Sequence, residues 1–175
     1  MSGGRFSKEK GQLYFVKAAE IALKENENIR FVLFGDGPDL QKIKSYISDK
    51  KLENYIVCPG FESNLLGYLK YADILVNPSL SEGLPNIVLE ALASNVPVIL
   101  TNVGGHPEII TDNKNGFLVE PKNIDNLAER IVKLSQDKKI RDEFIKNSHE
   151  VLRDKFTFES QNKKLINLYN KIGRA

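Results

Sequence analysis

The chain is poor in residues that build covalent or metal scaffolds. Its 175 residues include one cysteine, Cys58, so no disulfide can close within it and a reducing compartment is expected. The two histidines, His106 and His149, stand far apart and form no cluster with metal-ligand spacing. No Asp-x-Asp pair occurs, because Asp36 and Asp39 are too widely separated to make one. No apolar run reaches the roughly 18 residues of a membrane span. Met1-Ser2-Gly3-Gly4 lacks the apolar centre of a signal peptide and reads as the cut end of a longer chain. A formal net charge of +2 removes any general electrostatic case for binding nucleic acid or an anionic membrane. Internal repeats and low-complexity segments are also missing.

What is present is an ordinary globular balance, with 41% hydrophobic and 27% charged residues and enough length for one domain with a real core. Short apolar runs alternate with amphipathic stretches. The runs are Phe31-Val32-Leu33-Phe34, Tyr55-Ile56-Val57-Cys58, Ile74-Leu75-Val76 and Val96-Pro97-Val98-Ile99-Leu100, with Gly116-Phe117-Leu118-Val119 as a weaker fifth. They are β-branched or aromatic and do not alternate, as expected for strands covered on both faces. Between them, Leu13, Val16, Ala19 and Leu23 repeat at helical spacing, as do Leu40, Ile43 and Ile47, and Leu65, Leu66 and Leu69. This alternation predicts an α/β fold, a Rossmann-like open parallel sheet flanked by helices. After Val119 the pattern is helical only, over 123–136, near 138–153 and near 158–172, so extra C-terminal helices pack on the sheet or reach beyond it.

In open α/β sheets, ligands bind outside the carboxyl ends of the strands. Four strand exits are rich in Gly, Pro and polar residues: Gly35-Asp36-Gly37-Pro38, Pro59-Gly60-Phe61-Glu62, Asn77–Gly83 and Thr101–Gly105. Glycines there let backbone approach a ligand closely. The third of these leads into Ser81-Glu82-Gly83-Leu84-Pro85-Asn86-Ile87-Val88-Leu89-Glu90-Ala91. It places Glu82 in a loop and Glu90 within a short apolar helix. A carboxylate among Ile87, Val88, Leu89 and Leu92 is costly to bury unless something hydrogen-bonds to it, and a polyhydroxylated ligand can do so. Arg5 and Lys10 form an early basic pair in Gly4-Arg5-Phe6-Ser7-Lys8-Glu9-Lys10-Gly11, suited to phosphate oxygens.

Together these motifs resemble the carboxyl-terminal domain of retaining glycosyltransferases of family 4, which have the GT-B fold. The likeness runs from about Gly4 to Tyr169. It is strongest over Pro78–Ile110, from Ser81-Glu82-Gly83-Leu84-Pro85-Asn86 through Leu89-Glu90-Ala91-Leu92-Ala93 to Val103-Gly104-Gly105-His106-Pro107-Glu108. The resemblance implies one domain, about 4–175, that binds a nucleotide diphosphate sugar as donor substrate. Glu82 would accept hydrogen bonds from sugar hydroxyls, and the amides of Gly83, Leu84, Pro85 and Asn86 would lie along sugar or phosphate (Pro85 by its backbone alone). Glu90 would hold the ribose hydroxyls. Arg5 and Lys10 would hold the diphosphate, so the catalytic set is Glu82, Arg5 and Lys10. The base would lie against Cys58, Pro59, Gly60 and Phe61, with Gly35 and Gly37 on the same rim. No metal and no cofactor are implied, since fixed cations and backbone dipoles can stabilise the departing diphosphate.

The chain also departs from that pattern. Only Met1-Ser2-Gly3 stands where the family has a strand before Gly4-Arg5, so the first strand is expected to be missing or a short remnant. The late motif reads Phe156-Thr157-Phe158-Glu159, which keeps an aromatic and a helix start. The acceptor-binding domain expected upstream is absent, so this piece alone is expected to bind donor weakly and transfer nothing. A cytoplasmic location follows from nucleotide-sugar use. The rival from another class is a non-catalytic nucleotide-sugar-binding or interaction module on the same fold. A phosphoacceptor domain would need an acidic cluster that Asp36 lacks, and a dinucleotide oxidoreductase would need the third glycine missing after Gly35-Asp36-Gly37. Away from the motif, Cys58 reads as a buried structural thiol, His106 as a surface-loop histidine and His149 as solvated. Glu108 reads as a first-turn glutamate, and Phe61, Tyr68 and Tyr71 as core or edge aromatics.

Overall fold

Six short strands and eight helices follow the predicted alternation in a computed structural model that describes residues 1–172. The strands are β1 (Ser2–Gly3), β2 (Phe31–Phe34), β3 (Ile56–Gly60), β4 (Leu75–Asn77), β5 (Val98–Thr101) and β6 (Phe117–Val119). The helices are α1 (Gln12–Glu25), α2 (Leu40–Asp49), α3 (Leu65–Leu69), α4 (Asn86–Ala93), α5 (His106–Ile109), α6 (Ile124–Gln136), α7 (Lys138–Val151) and α8 (Phe158–Ile172). Every strand pair is parallel, in the groups β1-β2-β3 and β4-β5-β6. Met1 joins the groups. Its nitrogen donates to the Ile74 carbonyl at 2.8 Å and its carbonyl accepts from the Val76 N–H at 2.8 Å. That is the bonding pattern of parallel neighbours. The spatial order is therefore β3-β2-β1-β4-β5-β6, with the direction of winding reversing between β1 and β4. The first strand is thus present as a short remnant, at the centre of the sheet.

Two apolar clusters explain why β4 and β5 carry unbroken hydrophobic runs. Val76 and Ile99 belong to one cluster, with Phe15 and Val16 of α1 and Leu127 and Ile131 of α6. Their neighbours Leu75, Val98 and Leu100 belong to the other, with Val88, Ala91 and Leu92 of α4. Successive strand residues point to opposite faces, so both faces are buried and both parities must be apolar. Each large side chain so enclosed contributes about 1.5–3 kcal/mol. Phe15 meets Phe31 edge to face at 5.6 Å, and Phe117 meets Phe144 likewise at 5.0 Å. The edge strand β3 departs from the expectation of two covered faces. Val57 is half exposed and Pro59, two residues on and on the same face, is exposed too, so one face of β3 is left uncovered.

The helices begin where short polar side chains can cap them. Asn123 accepts from the Asn126 N–H and Asp137 from the Ile140 N–H, both at 3.1 Å. Thr157 accepts from the Ser160 N–H at 3.2 Å, so Phe156-Thr157-Phe158-Glu159 does start a helix. That helix, α8, buries none of its residues and reaches beyond the sheet, leaving Phe158, Tyr169 and Ile172 in solvent. Among the described residues no helix is long and apolar enough to cross a membrane.

Candidate functional site

The reversal of winding leaves a crevice at the carboxyl ends of β1 and β4, the place where open α/β sheets hold ligands. It has two adjoining parts. One, of about 420 Å³, is lined by Arg5, Lys10, Gln12, Ser79, Glu82 and the start of α4. The other, of about 740 Å³, is lined by Gly35, Asp36, Gly37, Phe61 and Glu62. Gly4, Arg5 and Leu65 border both parts.

Lys10 and Glu82 meet in the smaller part, although 72 residues separate them. The Lys10 ammonium donates to Glu82 Oε1 at 2.9 Å and to Oε2 at 2.7 Å. The Ser79 hydroxyl lies 2.9 Å from Glu82 Oε2 and 2.7 Å from Asn77 Oδ1, so its one proton serves these two acceptors in turn. Burial pushes the Glu82 carboxyl up, but the hydrogen bonds from Lys10 and Ser79, with the charges of Lys10 and His106, outweigh it and hold the pKa below the usual value. The side chain of Glu82 is 12% exposed and that of Lys10 31%, so both reach the crevice while paired.

Neighbouring backbone fixes the loop that carries Glu82. The Leu80 N–H donates to the Glu9 carbonyl at 2.7 Å, tying the loop to the turn at Lys8–Lys10. From the other side the Gly105 N–H donates to the Gly83 carbonyl at 3.0 Å. Gly104 has φ +50° and its missing Cβ would fall 1.7 Å from the Glu82 carbonyl oxygen, so no side chain fits there. Arg5 is positioned through its own carbonyl, which accepts from Gln12 Nε2 at 2.8 Å.

The other predicted residues divide. Gly83 has open space where a Cβ would stand, and Leu84, Pro85 and Asn86 line the crevice at the start of α4. Glu90 lies one turn further along α4, half buried, and is not among the crevice-lining residues. Phe61 lines the larger part and is 78% exposed, so it is neither a core nor a covered edge aromatic. Cys58, Pro59 and Gly60 lie within β3 itself, and burial pushes the Cys58 thiol above its ordinary pKa despite the nearby Lys44 charge. Gly35 and Gly37 do border the crevice, but their missing Cβ atoms would strike the Gly4 and Phe6 carbonyl oxygens at 1.9 and 2.4 Å. Close packing of their own chain therefore also demands glycine at both positions. Tyr68 packs its ring against Phe34 at 4.8 Å, whereas Tyr71 stands in solvent.

His106 corrects the expectation of a surface histidine, since its side chain is fully buried. Its Nδ1 lies 2.7 Å from the Thr101 carbonyl. Burial pulls its pKa below the ordinary value, against the Thr101 bond and the Glu82 charge and together with Lys10. His149 is exposed as expected, with Nε2 2.7 Å from Asn95 Oδ1. The sequence places Asn77, Ser79 and Thr101 in rim loops without giving them a role, and it gives no sign of Gln12. The polar run Asn77-Pro78-Ser79 directly after an apolar strand was the signal for two of them, because polar side chains buried at a strand exit need partners.

Residues 1–151 match the family described as Glycosyl transferases group 1. A UDP-Gal:alpha-D-GlcNAc-diphosphoundecaprenol alpha-1,3-galactosyltransferase of Escherichia coli is 33% identical over 138 residues, 77% of this chain and 36% of that protein. The chain spans about a third of the length of this relative and of the next, a Staphylococcus aureus poly(ribitol-phosphate) alpha-N-acetylglucosaminyltransferase, at 36% and 32%. Among solved structures, the C-terminal domain of a group 1 glycosyl transferase (LpcC) from Francisella tularensis superposes with a TM-score of 0.82 at 32% identity, covering 90% of this chain and 86% of that one. A Staphylococcus aureus TarM variant crystallised with fondaparinux, alpha-GlcNAc-glycerol and UDP superposes with a TM-score of 0.87 at 29% identity, covering 97% of this chain and 35% of that one.

Proposed function

The chain belongs to the group 1 glycosyl transferases, and from that premise we propose that it is the donor-binding half of a retaining enzyme of family 4. Its substrate is a nucleotide diphosphate sugar, and its product is a glycosylated glycan, lipid-linked carrier or small molecule. The observation that carries this reading is the Lys10–Glu82–Ser79 cluster beside Arg5, set in the crevice where β1 and β4 diverge. Once released from Lys10, the Glu82 carboxylate suits sugar hydroxyls, and two cations suit a diphosphate. Because Lys10 and Glu82 hold each other in the free chain, donor binding has to divide them, with Lys10 turning to phosphate and Glu82 to hydroxyls.

In the transition state the departing nucleoside diphosphate gains negative charge. Arg5, Lys10 and the N–H groups at the start of α4 stabilise that charge in place, and this step needs no metal. Glu90 is assigned to the ribose, one turn beyond Asn86. On this reading the acceptor surface comes from an upstream domain of the same polypeptide, so the 175 residues by themselves bind donor weakly and transfer nothing. Nucleotide sugars place the reaction in the cytoplasm.

Ligand-observed NMR with UDP, GDP and ADP tests the reading. One nucleotide, expected to be UDP given the ligand of the TarM variant, should give the strongest signal. Arg5→Ala, Glu82→Gln and Glu90→Ala should each weaken the corresponding UDP-sugar by about five- to tenfold. Equal signals for all nucleotides and all variants would remove the proposal.

A further inference from the structure

His106 has no place in the donor-binding scheme, yet it is a fully buried titratable side chain directly behind this rim. It opens α5, straight after the Gly104-Gly105 turn that presses on the Glu82 loop. A carbonyl oxygen can only accept, so the 2.7 Å contact with Thr101 requires the proton on Nδ1. Nε2 is then left with an open lone pair, buried and without a partner. An apolar side chain would fill that space without stranding an acceptor. The bond to Thr101 is therefore what a histidine adds here.

That bond starts a chain leading to the carboxylate. The Thr101 hydroxyl donates to the Ser79 carbonyl, and the Ser79 hydroxyl donates to Glu82 Oε2 at 2.9 Å. Thr101 and Ser79 are both buried, so water does not compete for these links. The charged groups that act on the ring are Glu82 from the β4–α4 loop and Lys10 from the turn before α1. Glu108, on the same short helix, is exposed.

We propose that His106 is a positioning residue: through its Nδ1–H it fixes Thr101 and Ser79, and so sets the orientation in which Glu82 faces the crevice. The proposal rests on the reading of Glu82 as part of the donor site, and adds a residue that touches neither donor nor acceptor.

The test follows the Glu82 carboxyl by carbon NMR during a pH titration of the 175-residue chain. In wild type it should titrate below the ordinary glutamate value. In His106→Leu the midpoint should move up, because Ser79 no longer holds its donor in place. In His106→Asn it should return toward wild type, since the Asn amide nitrogen can stand where Nδ1 stood. Thr101→Val cuts the same chain at its middle link and should shift Glu82 in the same direction as His106→Leu. It also serves as the deciding variant if the leucine protein fails to fold. Long-range proton–nitrogen NMR of wild type should show the Nδ1–H tautomer. A folded His106→Leu or Thr101→Val protein in which Glu82 titrates as in wild type overturns the proposal, and so does an Nε2–H tautomer. UDP affinity should fall about tenfold in His106→Leu. Failure of wild type to bind UDP counts against the donor-site reading, and the Glu82 titration still decides the role of His106.

Discussion

The Glu82 carboxylate is held by one ammonium and one hydroxyl, and the ammonium does most to keep it ionised. Replacing Lys10 by methionine preserves the stem of the side chain and removes the charge. Burial then acts on Glu82 with the Ser79 hydroxyl as the remaining hydrogen-bond donor opposing it, so its pKa should rise. The sign of the stability effect follows. A depressed carboxylate pKa stabilises the fold above the unfolded pKa, and this is lost as pH falls through the folded pKa. Lys10→Met should therefore cost about 1 kcal/mol at neutral pH and nothing once Glu82 is protonated, as read by urea melts across the acid range. A deficit that persists at low pH would show lost packing instead. At this scale the sequence displayed Glu82, Arg5 and Lys10 as chemically apt, but not that Lys10 and Glu82 would be each other's partner. Side chains 72 residues apart meet only after the sheet has formed.

Loops and helices were legible in kind but not in contact. All five apolar runs became strands, because length, β-branching and flanking glycines agree. Glycines at strand exits suit close approach of a ligand, and at Gly35, Gly37 and Gly104 the protein's own carbonyls also occupy the place a side chain would need. This gives an element-scale prediction. Gly104→Ala places a methyl group against the Glu82 carbonyl at a positive φ, and should destabilise the domain by about 2 kcal/mol or more by thermal or urea unfolding. Ligand contacts at Glu82 should be lost even where the fold survives. Gly83→Ala is the control, since open space surrounds that position and a small effect on stability is expected.

For the 175-residue chain taken by itself, with a free amine on Met1, the centre of the sheet makes stability vary with pH. The Met1 ammonium lies between β2 and β4, where burial lowers its pKa from 8.0 to about 5 against the pull of Asp73. The folded chain therefore carries a neutral amine where the unfolded chain carries a charged one. Between pH 8 and pH 5 the unfolded state binds the additional proton, so stability falls as pH falls across that window, by up to about 4 kcal/mol, and levels off below it. Acetylating the amine should flatten the window, and a cavity of about 590 Å³ beside Met1 leaves room for the acetyl group. An unchanged slope after acetylation would place the dependence elsewhere. The sequence by itself determined the alternation of strand and helix, the parallel sheet, the rim that carries the candidate site and the membership of the glycosyl transferases at group level, because these follow from local periodicity, turn residues and short motifs. Tertiary structure alone decided that Met1 completes the sheet, that His106 is buried and that Lys10 neutralises Glu82. Each of these depends on which distant segments share a neighbourhood, and local pattern carries no record of that.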